Sequence, residues 1–177
     1  MNEKRVLRAS VPRTPLTAEE NAALQKNLFD LPMWKDAEKV FVYVSEGAEP
    51  DTAAILDRAF QEGKTVAVPL CVDRNTMRAV VIRTADELKP GAYGLLEPPS
   101  ENPDMDGDFL AVTPCVACSV DRVRLGRGMG YYDAFLTVNN VKSVCLCRDE
   151  ALLNYIPDSS HDQKPDAVIT QSRVILG

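Results

Sequence analysis

Ten consecutive residues concentrate the groups that could do chemistry: Arg124-Leu125-Gly126-Arg127-Gly128-Met129-Gly130-Tyr131-Tyr132-Asp133. Three alternate glycines let backbone N–H groups approach an anion without a Cβ in the way. The apolar run that follows opens a helix, whose N-terminus adds partial positive charge. Arg124 and Arg127 can pair with phosphate oxygens. The stretch therefore reads as a phosphate cradle. It is neither a Walker A loop, lacking Gly-Lys-Ser/Thr, nor the dinucleotide fingerprint, whose glycines are spaced differently. A plain glycine-rich turn is the competing reading, but two arginines and an aspartate in one turn exceed what a turn requires.

Other candidates lie far away in sequence. Lys4 and Arg8, four residues apart on a short predicted helix over 4–9, share a face that is either a second cationic site or simply solvated. Glu49, in the polar loop Ser45 to Pro50, either reaches a ligand or favours the N-terminus of the next helix. Asp133 near a helix start reads equally as a dipole partner, and Asp162 as a loop residue. The sole histidine, His161, reads as structural. Cys71, Cys115, Cys118, Cys145 and Cys147 are odd in number and lie mostly in apolar segments, which favours reduced core thiols over disulfides. Cys115-x2-Cys118 with Cys145-x-Cys147 offers four thiolates to zinc, although the second spacing is tight for a zinc knuckle.

The elements that must position these groups follow from periodicity. Thr17-Ala18-Glu19-Glu20 is a capping box opening a helix through Leu24, Leu28 and Leu31. Val40 to Val44 reads as a buried strand, Asp51 or Thr52 caps a helix ending at Gly63, and Thr65 to Val68 is the next strand. Strand, helix and strand in close order predict an α/β fold with a parallel sheet. Asp73-Arg74-Asn75 is a turn, 77–82 a strand, 86–88 a helical turn, and 89–107 a long Pro- and Gly-rich irregular loop. Strands are predicted at 109–112, 116–118, 141–147 and 167–169, and helices from Tyr131 and over 149–155.

The chain's 177 residues suit one domain over 1–177, and a 45% hydrophobic, 26% charged composition is that of an ordinary folded protein. A net charge of −6 argues against broad nucleic-acid binding. No stretch approaches the ~20 apolar residues of a membrane span, and the charged first ten residues lack a secretory apolar core, so a cytoplasmic location without membrane partners is expected.

Arg124 to Asp133, followed by Ala134-Phe135-Leu136, resembles the RLGxGxGYYDxxL signature of 5-formyltetrahydrofolate cyclo-ligases, also called methenyltetrahydrofolate synthetases. The resemblance extends along the chain. Lys4-Arg5-Val6-Leu7-Arg8 is similar to the family's N-terminal Lys and Arg pair, and Tyr43-Val44-Ser45 with Glu49-Pro50-Asp51-Thr52 to its Y-x-S…E-x-D/E-T segment. Gly91 to Pro98 is similar to its G-x-x-G-I-x-E-P loop, and His161-Asp162 with Asp166 to its closing segment. Two departures stand out. Cys118, Ser119 and Arg122 replace a Phe, an Asp and a turn Gly, which implies an altered hairpin, and Met129 replaces a frequent Lys, removing one charge from the nucleotide site.

The resemblance implies a Rossmann-like three-layer sandwich with a mostly parallel central sheet flanked by helices, of the sugar-phosphate isomerase and CoA transferase type. It implies ATP-dependent cyclisation of 5-formyltetrahydrofolate, with or without a polyglutamate tail, to 5,10-methenyltetrahydrofolate through a phosphorylated formyl group, with release of ADP and phosphate. ATP would be held by Lys4, Arg8, Arg124, Leu125, Gly126, Arg127, Gly128, Met129, Gly130, Tyr131 and Tyr132. Folate would meet Val44, Glu49, Tyr93 and Tyr131, and Mg²⁺ would meet Asp133 and Asp162; Glu49, Arg124 and Arg127 would carry the catalysis. The pterin would need an apolar or aromatic wall with a few polar contacts, for which Tyr93, Tyr131, Tyr132 and Trp34 are candidates. A monomer is the expectation. Two other readings stay open: a non-catalytic nucleotide-binding module, and a divergent α/β enzyme acting on another phosphate- or CoA-bearing substrate.

Overall fold

A computed structural model describes residues 2–91 and 94–177. Its frame is a seven-stranded sheet built around β1 (Lys39–Val42). On one side β1 pairs in parallel with β2 (Thr65–Cys71), which pairs antiparallel with β3 (Met77–Ile82). On the other side lie β6 (Leu110–Pro114), β9 (Ser143–Leu146) and β11 (Ala167–Ile169), all parallel, and then antiparallel β12 (Val174–Leu176). The mostly parallel α/β sheet is as expected.

The central strands read as unbroken apolar runs because both faces are covered. Val40, Val42, Val66, Val68, Val112, Val144, Leu146 and Ile169 point into one core with Leu24 and Leu28 of α2 (Ala18–Phe29), Trp34 of α3 (Pro32–Asp36), and Ile55, Leu56 and Ala59 of α4 (Ala53–Gln61). The alternate residues Phe41, Ala67 and Ala111 face Phe135 and Leu136 of α5 (Tyr131–Asn139). Phe41 stacks on Phe135 at 4.6 Å between ring centroids. Cys145 and Val168 join a third cluster with Cys118, Cys147, Val123 and Leu125, so these thiols are core residues. That cluster lies under a small sheet of β7 (Ala117–Ser119), β8 (Arg124–Leu125) and β10 (Leu152–Leu153).

Several local expectations are corrected. The stretch 149–155 is not a helix: a single 3-10 turn at Asp149–Ala151 gives way to β10, which pairs in parallel with Cys118 and Ser119. Too few residues precede Pro157 for a helix to recover its nucleation cost, and pairing with β7 uses the same backbone groups. The irregular loop 89–107 contains a two-stranded ribbon, β4 (Lys89–Pro90) against β5 (Leu96–Glu97). Thr52 occupies the cap position of α4, but the capping oxygen is Asp51 Oδ1, 3.1 Å from the Ala53 N–H. The capping box at Thr17 and Glu20 forms as its spacing predicts.

Candidate functional site

The chain leaves β1 through α4 toward β2, and much later returns to the opposite side of β1 as β6. Loops following β1 and β6 therefore diverge at the carboxyl ends of two adjacent parallel strands. Open α/β sheets hold their ligands at such switch points.

The loop after β1 is closed by its own polar side chains. Tyr43 Oη donates to the Pro50 carbonyl at 2.7 Å; the Ser45 N–H donates to Thr52 Oγ1 at 2.9 Å and the Thr52 N–H to Ser45 Oγ at 3.0 Å. Within it the Glu49 N–H donates to the Glu46 carbonyl at 3.1 Å, a tight turn whose first corner, Gly47, has φ +56°. The turn puts both acids on one side: Glu49 Oε2 accepts the Glu46 N–H at 3.0 Å. Glu49 is thus not a partner of the following helix. Burial pushes its carboxyl above the ordinary glutamate range, against the Glu46 N–H and the Arg127 cation, which pull it down.

The segment after β6 forms the β7–β8 hairpin and then the glycine loop. The hairpin forms without a turn glycine. Arg122 adopts φ +64°, its N–H donates to the Ser119 carbonyl at 2.9 Å, and Ser119 Oγ accepts the Val123 N–H at 3.0 Å. The left-handed backbone that glycine would tolerate freely is imposed here on an arginine, whose guanidinium donates to the Pro165 carbonyl at 2.5 Å.

From β8, Arg124 enters the crevice with its side chain only 3% exposed. Its Nη2 lies 3.2 Å from Asp133 Oδ1, its Nη1 donates to the Pro114 carbonyl at 3.2 Å, and its guanidinium carbon stands 5.4 Å over the Tyr132 ring. Its Nε is buried without a partner. Burial works against this cation, and Asp133 together with the nearby Cys145 and Cys115 outweighs it, leaving the guanidinium's pKa above its ordinary value.

Helix α1 (Glu3–Ser10) has no buried residue, yet charged side chains fasten it to the same place. Arg8 Nε donates to the Gly126 carbonyl at 2.7 Å, and Lys4 Nζ lies 2.8 Å from Asp162 Oδ2. Gly128 has φ +101°, and a Cβ there would come within 3.5 Å of the Arg8 guanidinium. Lys4→Ala is expected to loosen this helix, speeding amide hydrogen exchange over 3–10 while the sheet keeps its protection; unchanged exchange there would show that the ion pair does not fasten it.

Arg127 joins the two loops of the crevice. It reaches across to the loop after β1, where Nη1 pairs with Glu46 Oε1 and Nη2 lies 3.0 Å from Glu49 Oε1. Asp133 also touches the loop that carries Asp162: its Oδ1 accepts the N–H of Gln163, the residue after Asp162, at 3.2 Å. Among the described residues no group of three or more His, Cys, Asp or Glu side chains is placed to hold a metal ion.

A family model matches residues 1–171 of this chain, and it describes the 5-formyltetrahydrofolate cyclo-ligase family. The chain belongs to that family. A relative from Schizosaccharomyces pombe named a probable 5-formyltetrahydrofolate cyclo-ligase is 30% identical over 175 residues, covering 88% of this chain and 86% of its own length. A 5-formyltetrahydrofolate cyclo-ligase of Mycolicibacterium smegmatis is 32% identical over 150 residues, covering 77% and 75%. The solved structure of Aquifex aeolicus 5,10-methenyltetrahydrofolate synthetase superposes with TM-score 0.84 at 26% identity, covering 98% of this chain and 92% of that one. As a cyclo-ligase family member the chain stands among the ligases, and its mostly parallel sheet is the family's fold.

Within this cyclo-ligase frame the expected site residues divide. Lys4, Arg8, Gly126, Arg127, Gly128, Gly130, Glu49, Asp133 and Asp162 gather around the crevice, and Met129 is 56% exposed at the loop. Tyr131 Oη donates to the Asp73 carbonyl at 2.9 Å, tying the glycine loop to the turn after β2. Val44 follows β1 and packs against the main core. Three side chains do not face the crevice directly. Leu125 is buried in the third cluster, so only its backbone faces the loop. Tyr132 lies between Arg124 and Phe41, a floor for the arginine. Trp34 is fully buried, with its Nε1 donating to Glu62 Oε2 at 3.1 Å beyond the C-terminus of α4, at the opposite end of the sheet from the crevice. Tyr93 lies outside the described residues.

Glu46 is the charged neighbour that sequence reasoning missed. Its signal was present as a second acid three residues before Glu49, but nothing in the chain's order announces that this loop meets Arg127.

Proposed function

We propose that this chain uses ATP to cyclise 5-formyltetrahydrofolate to 5,10-methenyltetrahydrofolate, releasing ADP and phosphate. The observation that carries the reading is the ion-pair bridge from Arg127 in the glycine loop to Glu49 in the loop after β1, which joins an anion cradle and a half-buried carboxylate in one crevice. A reaction coupling a triphosphate to a neutral heterocycle with N–H donors needs both.

The formyl oxygen is a poor leaving group, so it takes the γ-phosphoryl of ATP: an O–P bond forms, the bond to ADP breaks, and N5 becomes an iminium bearing a phosphorylated oxygen. N10 attacks the formyl carbon, phosphate departs with that oxygen, and N10 loses its proton. Positioning and charge neutralisation dominate such transfers, so no covalent enzyme intermediate is needed. Arg124, fixed by Asp133 and Pro114, offers a preorganised charge; Lys4, Arg8 and Arg127 are able to meet phosphate oxygens; Glu49 accepts pterin N–H groups.

The pair Asp133 and Asp162 suits Mg²⁺, which keeps several waters and binds through one or two carboxylates plus phosphates rather than through an all-protein cage. Bound there, the ion would neutralise charge on the transferring phosphoryl group. Both carboxylates now rest on cations, Arg124 and Lys4, that a nucleotide's phosphates would claim. We place the activity in the cytoplasm, in a monomer that works as one domain. No helix among the described residues is long and apolar enough to cross a membrane.

The test is absorbance at the methenyl-folate band with 5-formyltetrahydrofolate, Mg²⁺ and ATP. An ATP-dependent rise supports the reading; ATP binding without any rise overturns it in favour of a non-catalytic nucleotide-binding module. Glu49 also predicts a pH effect. It must be ionised to accept pterin N–H groups, and its carboxyl protonates at a higher pH than an ordinary glutamate, so kcat/KM falls on the acid side earlier than usual. Arg127→Ala removes a cation that favours the ionised form, so the acid limb of 5-formyltetrahydrofolate affinity in the nucleotide-free protein should move to still higher pH. A limb that stays in place would remove Glu49 as the titrating group.

A further inference from the structure

The Glu46–Arg127–Glu49 bridge contains one member that the reaction does not require. Arg127 and Glu49 have roles in binding, but Glu46 is 37% exposed, faces solvent at the rim, and still holds one arm of the arginine. Its neighbour Glu49 is spent twice: Oε2 on the Glu46 N–H and Oε1 on Arg127. The carboxylate that should receive folate N–H groups is thus covered by the cation that should receive phosphate.

We propose that Glu46 is a positioning residue that parks Arg127 over Glu49, so that nucleotide binding uncovers the folate carboxylate and the two substrates bind cooperatively. This rests on the folate cyclo-ligase reading above and adds an order to it. Arg127 is 60% exposed and is fastened on this loop only at its tip, by two ion pairs, so a triphosphate can draw it away. Phosphate oxygens offer the same charge-assisted geometry as the two carboxylates, with more negative charge. Once Arg127 turns to the phosphates, Glu49 is a half-buried anion with one oxygen free, and pterin N–H donors restore what it lost. Without nucleotide, folate must first displace the arginine. Linkage requires the effect to be reciprocal, so folate tightens ATP by the factor by which ATP tightens folate.

Glu46 sets the size of that factor. Removing its charge takes away one of two anchors, so the arginine leaves Glu49 more readily before any nucleotide arrives. Glu46→Gln should therefore tighten folate in the nucleotide-free protein by about two- to five-fold, the range of one exposed ion pair, and shrink the coupling by the same factor.

The experiment is calorimetric titration of 5-formyltetrahydrofolate into the full chain, with and without Mg²⁺ and the β,γ-imido analogue of ATP. Wild type, Glu46→Gln and Glu46→Asp are compared. The expected result is nucleotide-enhanced folate binding in wild type, a smaller enhancement in Glu46→Gln arising from tighter nucleotide-free binding, and partial restoration in Glu46→Asp. A purely structural role would shift thermal stability or weaken both ligands without changing their coupling. Equal coupling factors in wild type and Glu46→Gln, or no coupling in wild type, overturn the proposal even where the absorbance assay shows cyclisation. A wild-type chain that binds folate cooperatively with nucleotide but never cyclises it overturns the reaction and leaves the parking role intact.

Discussion

Arg124→Ala is expected to abolish most of the turnover and to weaken the fold at the same time. The guanidinium is buried, pairs with Asp133, and donates to the carbonyl that ends β6, so its loss leaves a partly buried carboxylate and an unsatisfied carbonyl. Breaking such a pair by removing one partner costs about 3–5 kcal/mol when both ions are enclosed. Asp133 keeps a quarter of its side-chain exposure and can rehydrate, so the lower end, roughly 3 kcal/mol, is the expectation. Turnover should fall about 100- to 1,000-fold, as when a preorganised group facing developing charge is removed. Denaturant unfolding together with the absorbance assay checks both. Arg124→Lys keeps the charge but not the planar fork, and should recover more stability than turnover. A variant that loses stability but turns over normally would make Arg124 a structural arginine.

Glu49→Gln is expected to separate binding from fold in the opposite sense. The amide keeps the side chain's shape and relieves a carboxyl that burial disfavours, so thermal stability should hold or rise slightly. The sign follows from linkage: a group that binds protons more readily folded than unfolded is most stabilising when protonated, and that contribution is lost as pH rises from the ordinary glutamate value through the raised one. The neutral amide mimics the protonated form at every pH. Folate recognition, however, loses a charged acceptor, and kcat/KM for 5-formyltetrahydrofolate should drop about 100-fold or more, against a hydrogen bond to a charged group plus a dipole pointing the wrong way. Steady-state kinetics over folate at saturating ATP provides the measurement. Unchanged kcat/KM would remove Glu49 from the site.

The sequence made the sheet legible because its strands are covered on both faces. Val40 to Val44 and Thr65 to Val68 are apolar throughout, which is the pattern of buried parallel strands, and the actual β1 and β2 lie within two or three residues of those spans. The Arg124–Asp133 stretch was equally legible, since its glycines, arginines and helix start lie within ten residues. What escaped was decided by distant partners. Leu152 and Leu153 look helical in isolation and become β10 only because β7 offers an open edge. Trp34 looks like a ligand wall because aromatic side chains serve both cores and pockets, and only the packing of Phe29 and Lys64 around it decides. Arg122 could be read only as the loss of a glycine, whereas the Ser119 and Pro165 oxygens hold it in a left-handed backbone conformation.

The switch between β1 and β6 also bears on how the chain folds. The strand–helix–strand–strand unit from β1 to β3 closes locally and carries Glu46 and Glu49 with it. Arg127 arrives only when β6 docks beside β1, a pairing of Val40 with Leu110 that spans most of the intervening chain. Loop-closure entropy makes such a contact late. The two halves of the crevice thus come from a local unit and a long-range one, and the ion pairs of Arg127 form at the seam. A ligand gripping both halves would act as a clamp across that seam, slowing unfolding more than it speeds folding, because its contacts are absent until the last long-range pairing is made.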